Sequence, residues 1–377
     1  MPRTNHHVAI VINNYPPKVG GLEQHVSMLA STLAKAGTQV TVIALDNDHL
    51  GFEDGLVKVH RLRATRTVAG VLSAPLLGTT RQVYELLASQ GVTLISTHTR
   101  FFPMSFVGIR LGKLLGVPVI HTEHGSDFVR GVSPLVSMAS KIVDKTMGRY
   151  ILRRASAVLA ISDGARTFVR RLSGVESQVF HNAIDVAAFQ PLAPRTQTRQ
   201  RLVFLGRLVP GKGWELALHV AEVLALEYPE LEIHFIGDGA ERQRLEDQLR
   251  TSRVSAHGTV HGYLGSEEIR DLLTDSILLN PTTLSEGFQT TMLEAIVGRA
   301  AVVSTPVSAA CYLAELGANV KVVPADEPAH WVQATRDLLA VGWQQPAPEI
   351  FKNFDWEGRA EEYLKVADIV TEPSREL

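Results

Sequence analysis

Residues 285–295 read SEGFQTTMLEA, and the fold can be worked out from them. Ahead of them the apolar run Ile277-Leu278-Leu279 stops at Asn280-Pro281, the pattern of a short buried strand. Behind them Met292, Leu293, Ile296 and Val297 recur at helical spacing, which predicts a helix from near Thr290. Two carboxylates bracket the turn, Glu286 on the loop and Glu294 in the helix. Between them Gly287 lets backbone approach a ligand, and the N–H groups around Phe288, Gln289, Thr290 and Thr291 stand at a helix start. Such N–H groups attract phosphate, and carboxylates accept hydrogen bonds from sugar hydroxyls, so the stretch suits a nucleotide sugar. It also reads as a structural corner in which the helix dipole favours Glu294.

Outward from this corner the same strand–helix alternation runs through the chain. Apolar strands are expected at Val8–Ile12, Val40–Leu45, Leu94–Ser96, Pro118–His121 and Ala157–Ile161, and a helical stripe at Leu22–Leu33. The alternation breaks at FQPLAPRTQTRQR, then restarts at Leu202–Leu205, Leu231–Ile236, Val260–His261 and Ala301–Ser304. Short apolar runs alternating with helices imply an α/β protein with parallel sheets. The expected organisation is a first domain over 1–188, a linker over 189–201 and a second domain over 202–353. A terminal amphipathic helix is expected at Trp356–Val370. Two Rossmann-like domains of this kind, facing across a cleft, would bind ligands at the carboxyl ends of their strands.

Composition narrows the function. The 377 residues exceed one ordinary core, and the hydrophobic share of 45% with a formal net charge of −2 describes a soluble protein with no nucleic-acid partner. One cysteine, Cys311, excludes an internal disulfide and a cysteine-built metal site. No stretch has the roughly 18 apolar residues of a membrane span, and the N-terminus does not read as a signal peptide. A cytoplasmic location is expected, possibly peripheral at the inner face of a membrane.

Three further clusters carry chemistry. Gly20-Gly21 open the first helix and let backbone come near an anion, although no G-x-G-x-x-G dinucleotide fingerprint is present. GRLVPGKGWE places Arg207 directly after a strand and Lys212 at a helix start, two cations suited to a diphosphate leaving group. His124 in HTEHGSDF lies just past a strand end, where it can donate to a sugar hydroxyl or phosphate. His121 and His124 do not make a convincing metal pair, because nothing nearby completes a ligand set. Lys141, Lys145, Arg149 and Arg153 recur every four residues beside Ile142, Val143, Ile151 and Leu152, a stripe that fits an anionic membrane surface or a solvated helix face.

With these residues in view the chain resembles, nearly end to end, the retaining family 4 glycosyltransferases of the GT-B fold. PPKVGGLEQHVSMLASTLAKAGTQVTV resembles their first strand–loop–helix–strand, GRLVPGKG their diphosphate motif, HNAIDVAAFQP the segment before their hinge, and SEGFQTTMLEA their E-x7-E signature. The resemblance implies that Glu286 contacts the donor sugar and Glu294 the nucleotide ribose. It assigns backbone at Gly287, Phe288, Gln289 and Thr290 to sugar and phosphate, and Arg207 with Lys212 to the diphosphate. Gly20 and Gly21 match the mobile glycine loop, and His124 matches a histidine that touches the transferred sugar. The resemblance also implies that the terminal helix, 354–377, joins the first domain. It further implies retention at the anomeric carbon, catalysis carried by Glu286, His124, Arg207 and Lys212, and no cofactor or metal. The implied partners are a UDP- or GDP-sugar donor and a sugar or lipid-linked acceptor of cell-envelope, glycolipid or polysaccharide synthesis. Two departures stand out. Gln289 replaces a frequent glycine, and the stretch after Val303 lacks the family's glycine pair and glutamate. A nucleotide-sugar epimerase of the same fold and a non-catalytic nucleotide-sugar-binding protein are the alternatives.

Overall fold

The first apolar run becomes β1 (His7–Ile12), whose six residues are all buried. A strand buried on both faces needs helices on both sides of its sheet, and the chain supplies them between strands. In a computed structural model β1 is followed by β2 (Gln39–Leu45), β3 (Lys58–Leu62), β4 (Leu94–His98), β5 (Val119–Glu123), β6 (Ala157–Ala160) and β7 (Gln178–Val179). They form one parallel sheet in the order β3-β2-β1-β4-β5-β6-β7. The structure describes residues 6–18, 20–48, 55–66, 73–128, 134–192, 200–284, 287–307, 309–341 and 348–372.

A second parallel sheet takes β8 (Arg201–Leu205), β9 (Glu232–Ile236), β10 (Gly258–Gly262), β11 (Ile277–Asn280), β12 (Ala301–Ser304) and β13 (Val320–Val322) in the order β10-β9-β8-β11-β12-β13. Its core packs Trp214, Trp331 and Phe235 with Leu202, Phe204 and Leu279. The core of the first sheet gathers around Val11, Ile43, Ile95, Met104 and Leu111.

The contact pattern divides the chain into Met1–Asn182 with Trp356–Leu377, and Ala183–Asp355. Of the stretch 189–201, residues 193–199 lie outside the described residues, while Phe189 is buried at the end of the short helix Val186–Phe189. The terminal helix Trp356–Thr371 belongs to the first unit. There Trp356 meets His25 with ring centroids 5.0 Å apart, and Asp368 bonds His6 at 2.8 Å.

Three strands were not foreseen, β3, β7 and β13, and each lies at the edge of its sheet. Lys58, Gln178 and Lys321 are exposed in them, so none presents the unbroken apolar run of an interior strand. In both sheets strand order reverses beside the first strand of the unit. Connections leave in opposite directions there, and open α/β sheets form their ligand crevices at such points. The reversals fall between β1 and β4 and between β8 and β11.

Candidate active site

In the second unit the backbone itself builds the crevice. After β8 the chain turns through Gly206 and Arg207, reaches Gly211 and Gly213 at φ +84° and +85°, and enters the helix Trp214–Leu224. Both glycines hold left-handed backbone that a Cβ would strain. A Cβ on Gly213 would also lie 2.4 Å from Pro281 O, so the turn presses directly on the loop after β11. The carbonyl of Gly211 accepts from Thr283 N at 2.8 Å, Thr283 Oγ1 at 3.2 Å and Thr282 Oγ1 at 3.3 Å. The GRLVPGKG turn and the approach to SEGFQTTMLEA, distant in sequence, are therefore tied together at one switch point.

Arg207 is exposed on this turn and has no ion-pair partner among the described residues, and Lys212 is half-buried five residues on. Of the second motif, Ser285 and Glu286 lie outside the described residues. Gly287 follows, then Phe288, buried and stacked near Phe354 at 5.6 Å between ring centroids. Gln289 precedes the helix Thr290–Val297 without capping it. Its Oε1 accepts from Asn280 Nδ2 at 2.7 Å, and that amide also reaches Ser304 Oγ at 3.0 Å. The amide side chain that replaces the family's glycine thus closes back onto the end of β11. Among the described residues no side-chain cap is made at this helix start, an arrangement that suits an anion.

Glu294 is buried inside that helix. Burial pushes its carboxyl up to about 7, and a hydrogen bond with Thr290 opposes the shift. A buried carboxyl poised near neutrality accepts hydroxyl donors best once ionised, so hydroxyl ligands and protons compete for it.

The first unit offers a different surface at its own switch point. Gly20 is extended at the start of the helix Gly21–Lys35, and a Cβ on it would strike the Glu23 carboxylate at 2.2 Å. Four residues into the helix, His25 is buried, with Nδ1 on Asn182 Oδ1 at 2.8 Å. His124, half-buried in the loop after β5, meets His98 at the end of β4, with Nε2 and Nδ1 3.2 Å apart. The expectation that no neighbour joins His124 is corrected here. His121 points elsewhere, to Thr97 Oγ1 at 2.9 Å, while tertiary folding brings His25 and His98 to His124. Burial lowers all three imidazoles, His25 to about 4 and the other two well below the ordinary value, and their mutual proximity adds to the effect for His98 and His124.

Beneath this cluster lies an ionic network that the sequence reading missed. Arg100, 1% exposed, donates to Glu123 Oε1 at 2.8 Å and to Asp144 Oδ2 at 3.0 Å. Glu123 also accepts from Gly125 N at 2.7 Å, which fixes the backbone next to His124. Burial alone would raise the Glu123 carboxyl, but the Arg100 guanidinium, His121 and the Gly125 amide hold it at about 2. Thr99, between His98 and Arg100, sits at φ +66°, a strained conformation for a β-branched residue. Ser105 Oγ holds it by reaching His98 O at 2.8 Å and Thr99 O at 3.0 Å. A signal for these residues existed, since His-Thr-Arg follows an apolar strand at its carboxyl end, but the expected strand stopped at Ser96.

The basic stripe lies on a continuous helical stretch, Pro134–Val143, a π-helical turn Asp144–Gly148, and Arg149–Arg154. Asp144 and Gly148 face inward, with Gly148 packed against the Arg100 stem. Lys141, Lys145, Arg149 and Arg153 are exposed and have no ion-pair partner among the described residues. Beside them Val136, Met138, Ile142 and Val143 are exposed as well, whereas Ile151 and Leu152, expected on the same face, are buried in the core.

Comparison with known proteins accounts for both halves. Residues 19–188 match the model described as Glycosyltransferase Family 4, and residues 199–341 that of Glycosyl transferases group 1. The chain is 23% identical over 306 residues to a phosphatidylinositol N-acetylglucosaminyltransferase subunit of Homo sapiens, covering 80% of this chain and 62% of that protein. It thus spans less than two thirds of that relative's length. It is 25% identical over 369 residues to the phosphatidyl-myo-inositol mannosyltransferase of Mycolicibacterium smegmatis, covering 93% and 91% of the two chains. Among solved structures, Anabaena HepE in complex with UDP superposes with a TM-score of 0.73 at 15% identity over 96% of this chain and all of that one. Two parallel-sheet Rossmann-like halves, each under its own glycosyltransferase model, make this chain a family 4 glycosyltransferase of the GT-B fold.

Proposed function

We propose that this glycosyltransferase moves a sugar from a UDP- or GDP-sugar to a hydroxyl of a lipid-linked acceptor, with retention at the anomeric carbon. The observation that supports the donor half is the tie between Gly211 O and Thr282–Thr283, which joins the turn carrying Arg207 and Lys212 to the segment that leads into the helix Thr290–Val297. Cations and free N–H groups there suit a diphosphate, and their attraction grows as charge develops on the leaving group. Glu294 accepts the ribose hydroxyls, and Glu286 orients the sugar. The acceptor hydroxyl attacks on the face from which the diphosphate departs. The new C–O bond forms as the old one breaks, and the hydroxyl proton passes to the departing phosphate oxygen. His124 donates to the transferred sugar. Arg207 and Lys212 supply positive charge to the leaving group.

The acceptor half of the proposal rests on the first unit's helical stretch. Exposed Val136, Met138, Ile142 and Val143 lie beside four cations that have no ionic partner among the described residues. Together they form an amphipathic face that suits an anionic lipid surface. Both named relatives act, by their names, on phosphatidylinositol. Among the described residues no helix is long and apolar enough to cross a membrane, so contact with lipid would be made by such a face.

Heat stabilisation of the purified chain by UDP-, GDP- and ADP-sugars tests the donor, because a ligand that binds the folded state raises its apparent stability. Stabilisation by one nucleotide-sugar class, with transfer that depends on added acceptor and gives product of unchanged anomeric configuration, is expected. Product formed without acceptor would establish the epimerase instead.

A further inference from the structure

Three histidines from three separate elements converge in the first unit. His25 comes from the first helix, His98 from the end of β4 and His124 from the loop after β5. One ring nitrogen of each lies within 4.8 Å of the other two. Hydrogen bonds decide which nitrogens these are. The Asn182 carbonyl oxygen can only accept, so His25 carries its proton on Nδ1 and its lone pair on Nε2. That Nε2 is buried and has no hydrogen-bond partner among the described residues. His98 turns Nε2 to Ser96 Oγ at 3.2 Å and Nδ1 to His124 Nε2 at 3.2 Å.

We propose that His25, His98 and His124 form a binding site for a divalent transition cation, with Zn2+ the preferred ion. Zinc–imidazole bonds of about 2.0–2.1 Å in a tetrahedron set ligand nitrogens roughly 3.3 Å apart and ring centroids roughly 5.2 Å apart. Here the one measured nitrogen pair stands at 3.2 Å, and the ring centroids are 4.7, 5.5 and 5.7 Å apart. Bringing the three nitrogens around one ion needs a small rotation, which His124 can make because it sits on a loop and not in a strand. Three imidazoles select Zn2+ and its neighbours over Mg2+ or Ca2+, which favour oxygen. Asn182 and Ser96 hold the far nitrogens of His25 and His98, as outer partners of metal-bound histidines do. Glu123, the nearest carboxylate in sequence, is engaged by Arg100 and stays out of the set.

Three protein ligands leave a fourth position for water or an anion. The ion would lock the His124 loop to β4 and the first helix, and would occupy the nitrogen that His124 offers to sugar. Cation binding is therefore expected whether or not the donor reading holds, and bound Zn2+ is expected to inhibit transfer.

The test uses the full chain, stripped with a chelator and free of any affinity tag. Titration with Co2+, followed by visible d–d absorption, is expected to saturate at one equivalent, and Zn2+ is expected to displace it. His25→Ala and His124→Ala should each abolish the spectrum, and Asn182→Ala should weaken Zn2+ binding about 10–100-fold in competition with a chromophoric chelator. No saturable Co2+ spectrum in the wild type would overturn the site, and that result requires no variant to fold. An unchanged spectrum in His124→Ala would overturn it too, and a half-buried loop position tolerates that change better than the buried His25.

Discussion

The ends of β4 and β8 both border the point where their sheet reverses order, β4 as the neighbour of its unit's first strand and β8 as the first strand itself, yet they are built in opposite ways. After β4 the polar side chains are buried and answer one another. Arg100 is matched to Glu123 and Asp144, and strained Thr99 is held by Ser105. After β8 the walls are glycine backbone, and Arg207 stands exposed without an ionic partner among the described residues. The first end is a finished internal structure, and at the second Arg207 meets no counter-charge among the described residues, which the proposed diphosphate would supply. Charge at a strand end is thus no sign of a ligand site by itself. What matters is whether the protein already neutralises it.

The contrast breaks if Arg100 proves dispensable. Arg100→Met leaves two buried carboxylates without their cation and is expected to cost about 3–5 kcal/mol in urea unfolding at pH 7. The sign with pH is fixed by Glu123, whose carboxyl is depressed from 4.5 to about 2. Its contribution to stability is fully present above pH 4.5 and is lost as pH falls through 2, so the gap between wild type and variant should narrow in acid. A gap that is small at pH 7, or widens on acidification, would show the network to be ornamental.

Arg207→Ala sharpens the other side. An exposed residue with no ionic partner among those described should leave stability within about 0.5 kcal/mol of the wild type. Removing a charge-assisted contact should weaken nucleoside diphosphate affinity by about 1.5–3 kcal/mol in calorimetry. Loss of stability with unchanged affinity would make the two strand ends alike.

A smaller effect is expected at Glu294. Its carboxyl is raised from 4.5 to about 7, so the contribution of Glu294 to the stability of the free protein is fully present below pH 4.5 and is lost as pH rises through 7. With ribose hydroxyls donating to the ionised form, as proposed, nucleotide binding should release a proton and strengthen by about tenfold at most between pH 6 and pH 8. Glu294→Gln should flatten the profile. A profile that survives this change places the titrating group elsewhere.

The weakest expected effect concerns the outer face of the first unit, where cations without a described ionic partner also occur. Each of Lys141, Lys145, Arg149 and Arg153 would contribute about 1 kcal/mol or less at an anionic surface. Co-sedimentation with anionic vesicles should be lost at high salt and in the four-site Lys/Arg→Ser variant. Equal binding by the variant would remove the membrane face from the proposal.

Much of this molecule was settled by local sequence. Apolar runs such as Val8–Ile12 and Ile277–Leu279 had to become interior strands, because continuous hydrophobic surface is stable only when covered on both faces. The helix from Thr290 followed from periodicity. The edge strands β3, β7 and β13 escaped because half-exposed strands carry Lys58, Gln178 and Lys321 in place of an apolar run. Tertiary structure alone decided which polar residues meet. His25, His98 and His124 lie far apart in the chain, and only the sheet order β1-β4-β5 sets their elements side by side. Burial, which no single stretch encodes, then raised Glu294 and left the Arg100 guanidinium to hold Glu123 down, because the cost of a charge depends on what surrounds it.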